Sequence, residues 1–300
     1  MSAKQQLSSS LHLTVKTNLQ MRITFLLLLA VGAATAQQTV QPAPPSPNTG
    51  QEAQSNEQKA RVWIKQMIDA LGGQAYLTLH DSYSEGRYGR FHNENMVGGA
   101  VFFRYWQWPD KERFEATKER DIASLVIEDK IWEITFRGGK ELDPKKDATV
   151  RLGMVRRRFA LEQILREWIN QPGTLLLDEG PTLADNKMTE RITVINAQNE
   201  AASILIAPDT HLPVSKRFTV REPETRNDPN NTLDRDQEEE IYGNWRLVQG
   251  INTPFTTVTL HNGQIARQQA ITNIVYNQRP PDNYFTPVLI KHEPEKEKKR

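Results

Sequence analysis

The chain has 300 residues, and 38 Lys and Arg stand against 37 Asp and Glu, so its charge balance points away from a nucleic-acid partner. It contains no cysteine, which excludes disulfides, thiolate-bound zinc, thiol catalysis and the lipid-modified cysteine that anchors bacterial lipoproteins. Only 37% is hydrophobic and the mean hydropathy is −0.63, yet the apolar residues fall in patterned blocks that can build a core.

The chain opens on a targeting segment. "MRITFLLLLAVGAATAQQ" carries Arg22, an apolar run from Ile23 to Val31, and the small residues Ala34-Thr35-Ala36 that a signal peptidase reads. Translation is expected to start at Met21, with cleavage after Ala36 removing residues 1–36. The run is too short to span a bilayer comfortably, so no transmembrane segment is expected in the mature chain, and the location is periplasmic or secreted. Residues 37–56, rich in Pro, Gln, Ser and Asn, read as a disordered linker.

The first ordered element is "EQKARVWIKQMIDALGG". Trp63, Ile64, Met67, Ile68 and Leu71 form one helical stripe, and Gly72-Gly73 ends it. Strands are expected near 77–90, 97–108, 113–119, 123–128 and 130–136, separated by the turns "HNEN", "WPDKE" and "RGGKELDP". Among them "AVFFRYWQW" is apolar on both faces. Val101, Phe103 and Tyr105 alternate with Phe102, Arg104, Trp106 and Trp108, so something must cover the second face.

A second helix is expected at "RRRFALEQILREWINQPG", with an apolar stripe of Phe159, Leu161, Ile164, Leu165, Trp168 and Ile169 and a stop at Pro172-Gly173. Strands resume near 174–177, 189–197, 201–207, 213–221, 239–248, 255–262 and 264–277, the last pair joined by Asn262-Gly263. Residues 222–240 read as a charged, mobile insertion and 289–300 as a charged tail. About a dozen strands without crossover helices give an α+β fold dominated by one antiparallel sheet.

Catalytic signatures are weak. Adjacent strand residues point to opposite faces, so His80, Asp81 and Ser82 cannot converge. The six histidines lack metal-ligand spacing. "DRDQEEE" is read as a solvated charge run rather than a calcium loop, which needs a central glycine. "VRRR", Val155 to Arg158, is read as a solvated helix end or a contact for anionic headgroups. Asn230 opens a glycosylation sequon.

The order of "ALGG", "DTHLP", "QGINTPF" and "PPDNYFTP" across residues 57–288 resembles the LolA/LolB/LppX-like superfamily of outer-membrane lipoprotein-sorting proteins. The resemblance implies a large antiparallel sheet curved into a half-barrel, with a helical lid on its concave face and acyl chains held between them. It implies a non-enzymatic carrier without cofactors or metal, whose partners are a lipid or acylated lipoprotein and a further envelope protein. The alternatives are an envelope scaffold with a filled core and, further off, a hydrolase. On this reading the lid presents Ile164, Leu165 and Trp168, and the wall presents Phe103, Tyr105, Phe114, Trp132, Ile134 and Phe136.

Overall fold

The computed structural model describes residues 49–221 and 235–292. The export segment, the cleavage site, residues 37–48, the sequon at Asn230, residues 222–234 and the last eight residues of the tail lie outside this range.

The chain begins with helix α1 (Thr49–Leu71) and the short α2 (Gln74–Leu77). Six strands follow: β1 (Asp81–His92), β2 (Asn95–Gln107), β3 (Lys111–Ala116), β4 (Ile122–Ile127), β5 (Lys130–Thr135) and β6 (Gly138–Leu142). Helices α3 (Ala148–Arg158) and α4 (Leu161–Arg166) and a 3-10 turn (Trp168–Asn170) come next. The remaining strands are β7 (Leu175–Ala184), β8 (Lys187–Ile195), β9 (Ala201–Ile206), β10 (Pro213–Arg221), β11 (Arg235–Val248), β12 (Ile251–His261) and β13 (Gln264–Tyr276). A second 3-10 turn (Asp282–Phe285) lies in the C-terminal segment.

The thirteen strands form one open antiparallel sheet in the order β6-β5-β4-β3-β2-β1-β13-β12-β11-β10-β9-β8-β7. Tight hairpins set this order. Asn93-Glu94, Asp185-Asn186, Gln249-Gly250 and Asn262-Gly263 all take φ values between 48° and 82°. Paired positive φ matches the right-handed twist of the strands they join.

Several local expectations change. Residues 49–56, read as linker, are the first two turns of α1. Gln, Glu and Ala supply helix propensity there, and the Asn56 amide clasps the backbone of Asp178 on edge strand β7 at 2.7 and 2.9 Å. Residues 138–142, read as part of a turn, form edge strand β6. Residues 235–240, read as the end of a mobile insertion, are the first half of β11.

Cross-strand partners share a face, which sorts the sheet into two. One face carries Leu176, Ile192, Val194, Ala202, Ile204 and Phe218 at the β7–β10 end. The same face continues through Lys216, Glu240, Tyr242, Thr257 and Arg267 to Tyr88, Phe102, Arg104, Trp106, Phe114 and Glu112. The helices pack on this face. Ile64, Met67 and Leu71 of α1, with Phe159, Ile164, Leu165 and Trp168, complete the main core at the β7–β10 end.

The opposite face holds a smaller core of Ala123, Leu125, Ile134 and Phe285. The C-terminal segment is strapped across it by fully buried Arg113. Its guanidinium donates to the carbonyls of Tyr284, Thr286 and Val288 at 3.4, 3.2 and 3.0 Å and to Glu115 at 2.6 Å. Leu289 packs there and His292 Nε2 lies 3.0 Å from Glu115, so residues 289–292, read as tail, are docked.

Candidate functional site: a charged concave face beneath helix α3

The sequence expects one helix over residues 156–171, and the chain folds it as three pieces. Its first turn is the end of α3. At Phe159-Ala160 the helix breaks, although neither residue is Gly or Pro. Burial explains the turn: Phe159 is 2% exposed and stacks on Phe218 at 4.4 Å and edge-on to Trp168 at 5.0 Å.

α3 is attached differently from the other helices. Asp147 caps it by accepting from Thr149 and Val150 at 2.9 and 3.1 Å. No residue of α3 is fully buried, and Leu152 and Val155 only half-bury against the main core. Charge holds it instead. Arg157 donates to Glu112 of β3 at 2.5 Å, Arg156 to Glu238 of β11 at 2.8 Å, and Arg158 pairs with Glu200 at 2.6 Å. Arg156 and Arg157 are thus tied to the sheet, while Arg158, though paired, keeps half its side chain open to solvent.

These pairs show that the sheet is curved. β3 and β11 are five strand spacings apart, about 24 Å in a flat sheet. Consecutive residues of one helix nevertheless reach a carboxylate on each. The two glutamates face one another across a concavity that α3 bridges.

Beneath α3 the concave face is polar. Glu112 also accepts from Arg104 at 3.1 Å. Burial opposes its charge, but Arg104 and Arg157 outweigh that and hold its pKa at about 2. Glu240 pairs with Lys216 at 2.8 Å and accepts from the Tyr242 hydroxyl at 3.0 Å. Burial again opposes the charged form, and these partners lower its pKa. Fully buried Glu238 takes His261 Nδ1 at 2.6 Å beside Arg156. "DRDQEEE" is therefore no solvated run: its last three residues lie in a strand, each paired with a cation.

Aromatic groups border the network. Phe114 stacks on Phe102 at 5.4 Å and meets Tyr88 edge-on at 5.5 Å. Tyr88, Phe114, Trp106, Tyr242 and Ile274 are only half-buried on the helix side of the sheet. The Arg104 side chain keeps 40% of its surface open to solvent although its Nε is buried without a hydrogen-bond partner. The centre of the concave face, which the ion pairs of α3 span, is thus only half-buried. A separate open cleft of about 290 Å³ lies between α1, α2 and the 3-10 turn, with Ile64, Ile68, Leu77 and Ile169 in its lining.

The structure divides the site residues expected from the sequence between the two faces of the sheet. Ile164, Leu165 and Trp168 face the sheet but are packed to 0%, 0% and 3% exposure, so they anchor α4 and its 3-10 turn and leave no open surface. Phe103, Tyr105, Trp132 and Ile134 sit on the other face. Tyr105 meets Tyr284 at 4.4 Å there, Trp132 and Ile134 join the smaller core, and Arg120 covers Phe103 at 3.5 Å. Phe136 lies beyond β5 and is 81% exposed. Of that set, Phe114 alone lies on the half-open concave wall. Phe102 and Trp106 share the inner face with Arg104, whose guanidinium meets the Glu112 carboxylate there. Glu238, Glu240 and Tyr242 alternate in sequence and mark one face of a strand, but only the fold shows that it points inward.

The described residues contain no group of three or more His, Asp or Glu placed to hold a metal ion. They also contain no helix long and apolar enough to cross a membrane. No family model matches the chain, and no curated protein matches it significantly. Solved structures do match. A DUF1329 family protein from Desulfovibrio piger is 12% identical, with 76% of this chain and 97% of that chain covered and a TM-score of 0.51. A protein from Vibrio parahaemolyticus described as an outer membrane lipoprotein-sorting protein domain is 10% identical, with 75% and 97% covered and a TM-score of 0.50. A LolA superfamily protein from Nitrosomonas europaea is 10% identical, with 76% and 97% covered and a TM-score of 0.49. At such identities the likeness is one of fold, shared with the first two of these structures: an open antiparallel sheet, curved, with helices on its concave face.

Proposed function

We propose that this chain is an exported carrier of the bacterial cell envelope that holds a lipid, or the acyl chain of a lipidated protein, non-covalently between the sheet and α3. The attachment of α3 carries the reading. A helix that buries no residue completely, held by ion pairs over a half-open aromatic wall, can lift at the cost of only the half-buried contacts of Leu152 and Val155. Acyl transfer from water contributes about 0.8 kcal/mol per methylene, so about a dozen methylenes bring on the order of 10 kcal/mol before ordering costs. The function needs no catalytic group.

The test is native mass spectrometry of the protein purified from its host envelope, paired with titration of a fluorescent acyl probe. Co-purified lipid and saturable binding are expected. An empty protein that takes up no probe would leave the scaffold reading, which one observation favours: Leu175, Leu177, Leu183 and Met188 are 39–67% exposed at the β7 edge of the sheet.

A further inference from the structure

The concave face carries cations that its carboxylates do not match. Glu112, Glu238 and Glu240 are each paired. Arg267 of β13 and Arg90 of β1 stand directly opposite one another on neighbouring strands. Neither has a carboxylate partner among the described residues. Arg267 makes one hydrogen bond, to the neutral Gln269 amide at 3.2 Å, and its Nε is buried without a partner. Like charges directly opposite destabilise a sheet, and a buried unpaired guanidinium donor costs more. Burial and the positive fields of Arg104 and Arg156 lower the pKa of Arg267, with Glu112 and Glu240 offsetting part of the effect. The rings of Tyr88 and Phe114 lie 5.7 and 5.4 Å from its guanidinium. They stabilise the charge without satisfying the donor.

Resting on the carrier reading, we infer that Arg267 and Arg90 receive the anionic headgroup, a phosphate or a carboxylate, of an acyl amphiphile whose chain runs along Tyr88 and Phe114. A guanidinium presents fixed N–H donors suited to either oxyanion. Cation and aromatic wall are adjacent, so one ligand with a charged head and an apolar tail meets both. A fully apolar chain would leave the arginines unpaired.

Titration calorimetry with dodecyl phosphate, dodecanoate and uncharged dodecyl maltoside, all below their micelle thresholds, tests this. At least one anionic amphiphile should bind tenfold or more tighter than the maltoside, and which of the two is preferred assigns the headgroup as phosphate or carboxylate. Arg267→Gln should abolish the preference for the anionic amphiphile over the maltoside. Arg90→Gln, at an exposed position remote from the core, should reduce it at least threefold and serves if the first variant folds poorly. Equal binding of charged and neutral amphiphiles, or a preference that survives both substitutions, overturns the headgroup site and leaves the carrier standing. Binding of none of the three overturns both.

Discussion

Arg157 at the end of α3 and Glu112 on β3 form an ion pair of 2.5 Å across the concave side of the sheet. One residue earlier, Arg156 makes the equivalent contact to Glu238 five strands away. The two pairs make α3 a bridge between the limbs of the curved sheet.

Removing Glu112 should loosen that bridge and leave the core intact. Glu112→Gln strips both Arg157 and Arg104 of their carboxylate. An exposed pair contributes up to about 1 kcal/mol and breaking a buried one costs about 3–5 kcal/mol. The Glu112 side chain is 19% exposed and its partners 25% and 40%, so a loss of roughly 1–3 kcal/mol is expected in urea unfolding.

The same carboxylate sets a pH dependence. Its folded pKa, about 2, lies below its ordinary value near 4.5. The unfolded chain therefore binds the proton first, and the stabilisation is complete above about pH 4.5 and lost as the pH falls toward 2. The difference in melting temperature between wild type and Glu112→Gln should be largest at neutral pH and shrink across that window. A constant difference would show that the pair is not its source.

Salt should act on α3 more than on its neighbours. Its ion pairs are partly exposed, whereas α4 is held by Leu161, Ile164 and Leu165. Raising ionic strength to about 0.5 M shortens the Debye length to roughly 4 Å. Hydrogen exchange of the α3 amides should accelerate while that of the α4 amides holds. Equal protection of the two helices would mean that α3 is not a lid.

The two faces of β2 should separate stability from binding. Phe102 is fully buried against Phe114, and Phe102→Ala is expected to cost about 3–5 kcal/mol. Half-buried Trp106→Ala and Phe114→Ala should cost less and weaken an acyl probe severalfold. Tyr105→Ala, on the opposite face against Tyr284, should leave the probe affinity unchanged.

The strap on that opposite face is structural. Arg113→Leu frees three carbonyls and leaves fully buried Glu115 with weaker partners in Arg120, at 3.8 Å, and His292. A loss of about 3–5 kcal/mol is expected, read by urea unfolding, with the acyl probe still bound by the folded fraction.

The local grammar of the fold is written along the chain. The stripe from Trp63 to Leu71 and the glycines after it specify α1, and Asn262-Gly263 specifies a hairpin. The absence of crossover helices specifies an antiparallel sheet. Each is a property of neighbouring residues and their periodicity, so each is readable along the chain. Which face of "AVFFRYWQW" is inside is a property of the folded sheet. Alternation defines two faces and leaves both candidates for the core, and here both are covered, one by helices and one by a strap held by Arg113. The break at Phe159 and the pairing of Arg156 and Arg157 with Glu238 and Glu112 were likewise invisible. Their partners lie 45 to 82 residues away in sequence, and only the curvature of the sheet brings them within reach of a single helix.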